Sequence, residues 1–294
     1  MRNTIWIIIA LILLVGISLL TYSHYSKPAE NEVNVCLHLS DYGCSTISYL
    51  IELGVEWVRT DWLITSDRSM RDYSQKLQDN NIGLLAIIDT NTFDNQNFTL
   101  EEWIYKVTEI ATSDGFKNTD AVEIWNEPNS VAFVQPETYH EMLRSAYTII
   151  KNHTSIPVVF AGVSPNVPDW QAYLNAVFAH NDIQSCFDVM GIHLYDDMAT
   201  NLKNLQFVKN LTTKPIWLTE TGQPSSTEDY NETSQAEYLS SVYSTFEPLV
   251  SKIFIYELKD GFGSSPEKEN YFGLLTMEGT QKEAYWVVCD INRK

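Results

Sequence analysis

The sequence is poor in basic residues. Nineteen Lys and Arg residues stand against 38 Asp and Glu residues, which gives a net charge of −19. A chain with this charge repels phosphate backbones and offers no basic stripe along which nucleic acid could bind. We therefore expect no nucleic-acid partner.

Cysteine is also scarce, and its spacing is not that of a metal site. The four cysteines are Cys36, Cys44, Cys186 and Cys289. They form no CxxC pair and no cluster with histidine, so the sequence predicts no zinc site and no other metal. In an oxidising compartment they could form two disulfides with three possible connectivities, and buried free thiols are the alternative.

A glycine-rich phosphate loop is missing as well. After the first predicted strand, Val33 to Leu39, the chain continues through Ser40-Asp41-Tyr42-Gly43, which argues against an open doubly wound sheet that binds a nucleotide. The sequence contains no internal repeat and no low-complexity segment. With 294 residues, 44% of them hydrophobic, it can form one large α/β domain, or two small ones. We expect no organic cofactor.

The N-terminal residues are set apart from the rest by a long apolar run. Residues from Ile5 to Leu20 are apolar except for Gly16 and Ser18. We expect residues 1–22 to be a signal anchor, because residues 21–30 show no clear small-x-small cleavage pattern, with a cleaved signal peptide as the alternative. A linker over residues 23–32 and a barrel over residues 33–294 would follow. The expected location is the cell surface, or outside the cell if the segment is cleaved.

The remaining residues alternate between strand-like and helix-like stretches. The predicted strands are 33–39, 56–60, 83–88, 121–125, 157–161, 187–193, 215–219 and 252–256. The predicted helices are 45–53, 69–80, 100–112, a helix opened by Pro136, 169–179, 201–211, 233–246 and 281–291. Eight strand–helix units in roughly 250 residues predict a (β/α)8 TIM barrel with parallel strands.

Two glutamates follow predicted strands 4 and 7. Glu127 lies in the run EIWNEPN and Glu220 in the run PIWLTETG. Side chains at these two strand ends point into one cleft at the C-terminal face of a barrel. A carboxylate pair in such a cleft can hydrolyse a glycosidic bond with retention if the groups are about 5–5.5 Å apart.

These two runs resemble the motifs of the clan-A glycoside hydrolases, and the longer WNEPN form is most similar to glycoside hydrolase family 39. The resemblance implies that Glu127 is the acid/base, that Asn126 binds the sugar 2-hydroxyl and that Glu220 is the nucleophile. It also implies that the strand-2 arginine, Arg59, supports the nucleophile. His193 and Tyr195 look like the H-x-Y pair that contacts the substrate and the nucleophile in such enzymes.

The sequence departs from this pattern in three places. Asp89 and Thr90 follow strand 3, where family 5 enzymes of the clan have a histidine. Tyr256 ends strand 8, where a sugar-stacking Trp is common. The accessory β-domain of many family 39 enzymes has no counterpart. We expect Trp170 and Tyr256 to act as stacking platforms and His38, after strand 1, to hydrogen-bond a sugar, although such residues can also be structural.

These features together predict a retaining β-glycoside hydrolase that cleaves an extracellular or cell-surface polysaccharide or glycoconjugate by double displacement. Its expected partners are an oligo- or polysaccharide and, through the N-terminal segment, a membrane. A transglycosylase acting on the same glycan is one alternative. A barrel that binds glycan without cleaving it is the other.

Overall fold

Eight parallel strands form a closed barrel in which each strand pairs with the next and β8 pairs with β1. The structure is a computed structural model that describes residues 33–38, 41, 43–62, 67–93, 98–130, 132–227, 229–264 and 267–294. The strands are β1 Val33–Cys36, β2 Trp57–Asp61, β3 Gly83–Ile88, β4 Ala121–Ile124, β5 Val158–Val163, β6 Val189–His193, β7 Ile216–Thr221 and β8 Lys252–Ile255. The predicted (β/α)8 fold is confirmed.

A helix follows each strand. The helices are α1 Cys44–Leu53, α2 Asp67–Asp79, α3 Leu100–Thr112, α4 Pro136–His153, α5 Trp170–Phe178, α6 Met198–Leu211, α7 Glu232–Phe246 and α8 Glu283–Asn292. Local sequence sets several of the starts. The Thr99 side chain caps α3 through the N–H of Glu102, and Pro136 opens α4 where a free N–H is not needed.

Short 3₁₀ helices occupy several of the connections. Within the described residues they are Thr90–Thr92, Gly115–Asn118, Ile183–Ser185 and Glu267–Asn270. The sequence did not predict them, because three or four residues are too few to show a helical period.

The barrel interior is packed in layers that alternate along each strand. An apolar cluster inside the barrel consists of Cys36, Trp57, Leu85, Ala121, Val159, Val189, Trp217 and Phe254. Side chains of a strand return to the same face every second residue. Arg59 and Glu123 are therefore placed inside the barrel, one step nearer the C-terminal ends than Trp57 and Ala121 in their strands.

Two irregularities in the strands lie close to the C-terminal face. Ile192 of β6 pairs with Leu218 of β7, whereas the next residue, His193, pairs with Glu220, so β7 carries an additional residue. β5 shows a similar register shift between Phe160 and Val163 where it pairs with β6. Such bulges re-aim the side chains that follow them. The shift places Glu220 inside β7, one residue before its end, and not after the strand as predicted.

The last helix joins the first strand. The Asn292 side chain accepts a hydrogen bond from the N–H of Val33 over 2.9 Å and donates to the carbonyl of the same residue over 2.9 Å. It also donates to the carbonyl of Leu53 over 3.0 Å. One side chain of α8 thus ties together β1 and the end of α1.

The predictions about the cysteines and about the N-terminal segment have different outcomes. Cys36, Cys186 and Cys289 are free and buried, so the disulfide prediction is wrong for these three, and the alternative of buried free thiols holds. The predicted signal anchor at 1–22 and linker at 23–32 lie outside the described residues. None of the helices that the structure describes is long and apolar enough to cross a bilayer.

Candidate active site

Arg59 is the centre of a buried polar cluster at the C-terminal ends of the strands. Its guanidinium donates through Nε to Glu123 and through Nη1 to Glu220, each over 2.6 Å, and through Nη2 to Asn126 over 2.9 Å. Burial opposes the charge on Arg59, but Glu123 and Glu220 outweigh it and raise its pKa. Three strands are thereby connected through one cation.

Glu220 is held as a carboxylate by several donors. Besides Arg59, the hydroxyl of Tyr195 donates to its Oε2 over 2.6 Å. Burial alone would raise the pKa of Glu220, but the charges of His193 and Arg59 and the hydrogen bond from Tyr195 outweigh burial and lower it. The group is therefore an ionised carboxylate, held in a fixed orientation, at neutral pH.

Glu127 lies opposite, on an unusual stretch of backbone. Trp125 and Glu127 have φ angles of 76° and 43°, in the left-handed region that non-glycine residues seldom adopt. The N–H of Glu127 donates to the carbonyl of Gly162 over 3.1 Å, which ties this turn to β5. Left-handed residues of this kind concentrate at functional sites. Here the turn aims the carboxyl of Glu127 into the barrel mouth.

His193 connects the two glutamates. Its Nδ1 lies 2.9 Å from Oε1 of Glu127 and 3.5 Å from Oε2 of Glu220. One carboxylate oxygen of Glu127 and one of Glu220 lie within 4.8 Å of each other and of the imidazole. Burial would lower the pKa of His193, but the two carboxylates raise it. The imidazole therefore favours the protonated form between two acids.

The imidazole fits because β5 has a glycine beside it. A Cβ on Gly162 would lie 2.0 Å from Nε2 of His193 and 2.6 Å from Oγ1 of Thr219. That same Nε2 is buried and has no hydrogen-bond partner within the described residues. Gly162 thus provides the space that His193 occupies.

Glu123 belongs to the site, and the sequence analysis did not identify it. Its side chain is fully buried; Oε2 accepts from Arg59 and Oε1 accepts from the N–H of Gly162 over 2.7 Å. A signal was present in the run AVEIW. Both faces of a strand in a parallel barrel are covered by other parts of the protein. A glutamate in the middle of such a strand is therefore buried and needs a polar partner.

A histidine and a further acid lie at the C-terminal ends of β1 and β8. His38, after β1, lies 2.5 Å from Oε2 of Glu257 and 3.0 Å from the hydroxyl of Tyr256. The hydrogen bond to Glu257 raises the pKa of His38 to about 9, and burial raises the pKa of Glu257 to about 6. At neutral pH the two form an ion pair.

Asp61 is the last residue of β2, Asp89 follows β3, and the two carboxyl groups influence each other. Burial raises the pKa of Asp61. Burial, reinforced by the charge of Asp61, raises the pKa of Asp89 to about 7. The Asp89 side chain also caps the 3₁₀ helix that follows, accepting from the N–H of Asn91 over 2.8 Å.

Comparison with known proteins places this arrangement in a family. Residues 71–270, more than half of the chain, match the glycosyl hydrolase catalytic core family. The chain belongs to this family. No curated protein matches it by sequence.

Solved structures share the fold of this glycosyl hydrolase at low sequence identity. A family 39 glycoside hydrolase from the gut symbiont Bacteroides cellulosilyticus WH2 has a TM-score of 0.72 at 19% identity, covering 90% of this chain and 64% of its own. A β-D-glucuronidase from Dictyoglomus thermophilum has a TM-score of 0.64 at 16% identity, covering 89% and 50%. A family 113 β-1,4-mannanase has a TM-score of 0.61 at 11% identity, covering 90% and 99%. The glycosyl hydrolase chain spans less than two thirds of the first two structures.

The structure places the predicted site residues of the glycosyl hydrolase in three groups: a cluster around Arg59, the pair His38 and Tyr256, and Trp170 by itself. Glu127, Glu220, Asn126, Arg59, His193 and Tyr195 form the contiguous cluster described above. His38 and Tyr256 contact each other, and the ring of Tyr256 also packs edge-on against Tyr195, with 6.4 Å between centroids. That ring contact links the second group to the first.

Trp170 is placed differently from the prediction. It is 8% exposed, begins α5 and packs its ring edge-on against Phe207 of α6. A sugar stacks on an open ring face, and this ring is covered by the neighbouring helix. The structure therefore corrects the prediction that Trp170 is a stacking platform: it is a packing residue between helices.

Glu127, His193 and Glu220 could in geometric terms also hold a cation, since they offer three ligand atoms within 4.8 Å of one another. Those atoms already contact one another, and Arg59 and Tyr195 occupy Glu220. The sequence analysis expected no metal in the site.

Proposed function

We propose that this glycosyl hydrolase is a retaining β-glycosidase that works by double displacement on a polysaccharide or glycoconjugate. The observation that carries the proposal is the short distance, within 4.8 Å, between carboxylate oxygens of Glu127 and Glu220. Retaining enzymes have carboxyl groups about 5–5.5 Å apart, whereas inverting enzymes leave about 6.5–9.5 Å for a water molecule. The measured separation supports the retaining class.

The surroundings of the two acids support a division of roles. Glu220 is bonded to Arg59 and Tyr195, and its lowered pKa keeps it ionised, as a nucleophile requires. The side chain of Glu127 is 25% exposed, so a leaving group and then a water molecule can reach it. Glu127 is therefore the acid/base and Glu220 the nucleophile.

In the first step, protonated Glu127 gives its proton to the glycosidic oxygen while Glu220 attacks the anomeric carbon. The bond to the leaving group breaks, and a covalent glycosyl ester forms on Glu220. In the second step, ionised Glu127 takes a proton from water, whose oxygen attacks the same carbon and releases Glu220. Two inversions give net retention. Arg59 and Tyr195 keep the nucleophile oriented throughout, which lowers the cost of reaching the transition state.

The charge of the strand ends bears on the substrate. Acidic groups outnumber cations there. The charge of Arg59 is balanced by Glu123 and Glu220, and that of His38 by Glu257. Asp89, whose pKa is raised to about 7, adds a partial negative charge at neutral pH. An anionic sugar would meet repulsion in this cleft, so we propose an uncharged sugar at the reacting position and not a uronic acid.

Two further parts of the proposal rest on the sequence. We propose that the enzyme acts outside the cell, anchored at its surface or secreted, on the basis of the apolar run from Ile5 to Leu20. We also propose that the enzyme is similar to those of glycoside hydrolase family 39, on the basis of the WNEPN run and the shared fold. Transglycosylation remains the nearest alternative, because it shares the ester on Glu220 and differs in the acceptor.

The test is a panel of β-linked aryl glycosides and polysaccharides, including a glucuronide, with the wild type, Glu127→Ala and Glu220→Gly. Glu237→Ala, which removes an exposed helix carboxylate, is the matched control. We expect loss of turnover by at least about 10⁴-fold in Glu220→Gly and recovery with azide as an α-glycosyl azide. Azide should rescue Glu127→Ala as a β-glycosyl azide. The anomer formed first, followed by NMR, should be β.

Four results would overturn the proposal. An α anomer formed first would exclude retention, and unchanged turnover in Glu220→Gly would exclude that nucleophile. Glycan binding by a wild type that turns over none of the panel would favour the non-catalytic barrel. Products extended by an added sugar acceptor, in excess of free sugar, would identify a transglycosylase.

A further inference from the structure

A second group of chemically active side chains lies between α4 and the connection from α5 to β6. His140 is in α4, and Asp182 and Cys186 flank the 3₁₀ helix Ile183–Ser185. An imidazole nitrogen, a carboxylate oxygen and the thiol sulfur of these residues all lie within 4.8 Å of one another. Imidazole, carboxylate and thiolate are the ligand types of Zn²⁺ sites.

His140 is arranged like the histidine of a metal site. It is 4% exposed, and its Nε2 lies 2.8 Å from Oδ1 of Asp182. Its Nδ1 is buried and has no hydrogen-bond partner in the part of the chain that the structure describes. Oε1 of Glu141 lies 3.5 Å from that Nδ1, slightly too far for a hydrogen bond. Histidine ligands of metals usually donate their second N–H to a carboxylate of this kind.

Cys186 faces the same space from the other side. It is a free, buried thiol, and its Sγ lies 3.4 Å from the backbone carbonyl of Asp182. The residue follows Asp182 by four positions across the 3₁₀ helix. This spacing brings the carboxylate and the sulfur to the same side of the turn, facing His140.

We propose that His140 Nε2, Asp182 Oδ1 and Cys186 Sγ bind one Zn²⁺ ion, with water as the fourth ligand. The thiol loses its proton to solvent when the Zn–S bond forms. Ligand atoms within 4.8 Å of one another can reach zinc bonds of about 2.0–2.3 Å after small side-chain rotations. The same rotation of the imidazole brings its Nδ1–H to Glu141.

His180 contributes to this site in another way. Its ring stacks on that of His140 with 3.9 Å between centroids and 6° between planes. A metal lies in the plane of an imidazole that binds it, so two parallel rings cannot share one ion at this spacing. His180 therefore shields one face of His140 and is not a ligand.

The ion would have a structural role, because it joins α4 to the segment 179–188 that leads into β6. Other contacts already follow the same seam, since Lys151 and Tyr147 of α4 lie 2.8 Å and 3.3 Å from the Asp188 carboxylate. The sequence predicts no zinc site, because its cysteines form no CxxC pair and no cluster with histidine. Only the fold brings the three residues together.

The test uses the chain without a histidine tag, stripped with EDTA and then titrated with Zn²⁺ by calorimetry. Co²⁺ serves as a spectroscopic probe, since a cobalt–thiolate bond gives a charge-transfer band. We expect one zinc per chain, a rise in melting temperature with zinc, and loss of the cobalt band in Cys186→Ser. Cys289→Ser, which removes another buried free thiol, is the matched control and should bind as the wild type does.

Two further variants guard against misfolding and against a site elsewhere. Asp182→Asn changes an exposed residue and should weaken zinc binding without altering the circular dichroism of the apo chain. Glu141→Gln should weaken it by about 10- to 100-fold, as the loss of a carboxylate behind a metal-bound histidine does. Zinc bound at Glu127, His193 and Glu220 would instead persist in Cys186→Ser and block turnover. That result, or zinc binding absent in the wild type, would overturn the proposal.

Discussion

Nε of Arg59 lies 2.6 Å from Oε2 of Glu123, and this fully buried ion pair aims the other edge of the guanidinium at Glu220. Glu123 is itself anchored, since its second oxygen accepts the N–H of Gly162. Glu220 is thus positioned by a series of contacts that runs from β5 through β4 and β2 to β7. Each of these contacts can be removed separately by a single substitution.

Replacing Glu123 tests the first contact. Glu123→Gln keeps the shape of the side chain but leaves Arg59 with one carboxylate where it had two. Removing one partner of a buried ion pair costs about 3–5 kcal/mol, so we expect a fall in the free energy of unfolding of about 3 kcal/mol, together with a lower kcat. Urea denaturation measures the free energy of unfolding. Glu56→Gln, at an exposed position, is the control; equal stability of the two variants would contradict the prediction.

Tyr195→Phe tests the hydrogen bond to Glu220. The change removes the hydroxyl that donates to Oε2 of Glu220 over 2.6 Å but keeps the ring packed against Tyr256 and Phe272. A hydrogen bond to a charged group contributes about 1.5–3 kcal/mol, so kcat/KM should fall about 10- to 100-fold.

The pH profile separates this role from packing. The lost hydrogen bond lowers the pKa of Glu220 in the wild type, so its removal raises that pKa and should move the acid limb of kcat/KM to higher pH. Tyr105→Phe, at a residue that is 67% exposed, should leave the profile unchanged. A reduced rate without a shifted acid limb would indicate a packing effect only.

Gly162→Ala tests the space next to His193. The new Cβ would lie 2.0 Å from Nε2 of the imidazole, so His193 has to leave its present position between Glu127 and Glu220. We expect kcat/KM to fall by about 100-fold, which a displacement of about 1 Å can cause, and stability to fall by about 1–3 kcal/mol. Gly43→Ala is the control, because the nearest atom to its Cβ would be 3.7 Å away. An active Gly162→Ala enzyme would show that His193 does not depend on this contact.

Asp89→Asn tests the cost of burying an acid beside Asp61. Because the pKa of Asp89 is raised to about 7, the native state binds its proton more tightly than the unfolded state. The free energy of unfolding contributed by this group is therefore present below about pH 4 and is lost as the pH rises through 7.

Asparagine stays neutral and keeps the oxygen that caps the N–H of Asn91. We expect Asp89→Asn to be more stable than the wild type by on the order of 2 kcal/mol at pH 8 and to show no gain at pH 4. Denaturation with urea at pH 4, 6 and 8 measures the difference. Asp72→Asn, whose side chain is 60% exposed, should show no such trend. A gain of the same size at every pH would argue against titration of Asp89.

Much of the fold was predictable because each strand–helix unit carries its own signals. Gly83–Ile88 and Leu100–Thr112 have the bounds that the sequence predicted, since Gly, Asp and a Thr cap mark their ends. The end of β7 was predicted two residues early. Glu220 and Thr221 are polar and look like a loop in sequence, yet in the barrel they stay paired because the interior there is polar.

The site could be predicted only as far as local motifs reach. Glu127 and Glu220 stand in recognisable runs, whereas Glu123 appears as a polar residue within an apolar strand. The direction of a ring is also invisible in sequence, and Trp170 turned out to pack between helices. The contact of His38 with Glu257 joins residues that follow the first and the last strand, and no short stretch of sequence contains both.

The closure of the barrel through Asn292 has a consequence for synthesis on the ribosome. β1, the barrel's first strand, needs β8 and α8 to cover one of its edges and to bond the backbone of Val33. Until the rest of the barrel has been translated, that edge stays open, and an open strand edge can pair with a neighbouring nascent chain. The ring therefore closes only after β8 and α8 have been synthesised, and slow elongation lengthens the period in which the chain can aggregate.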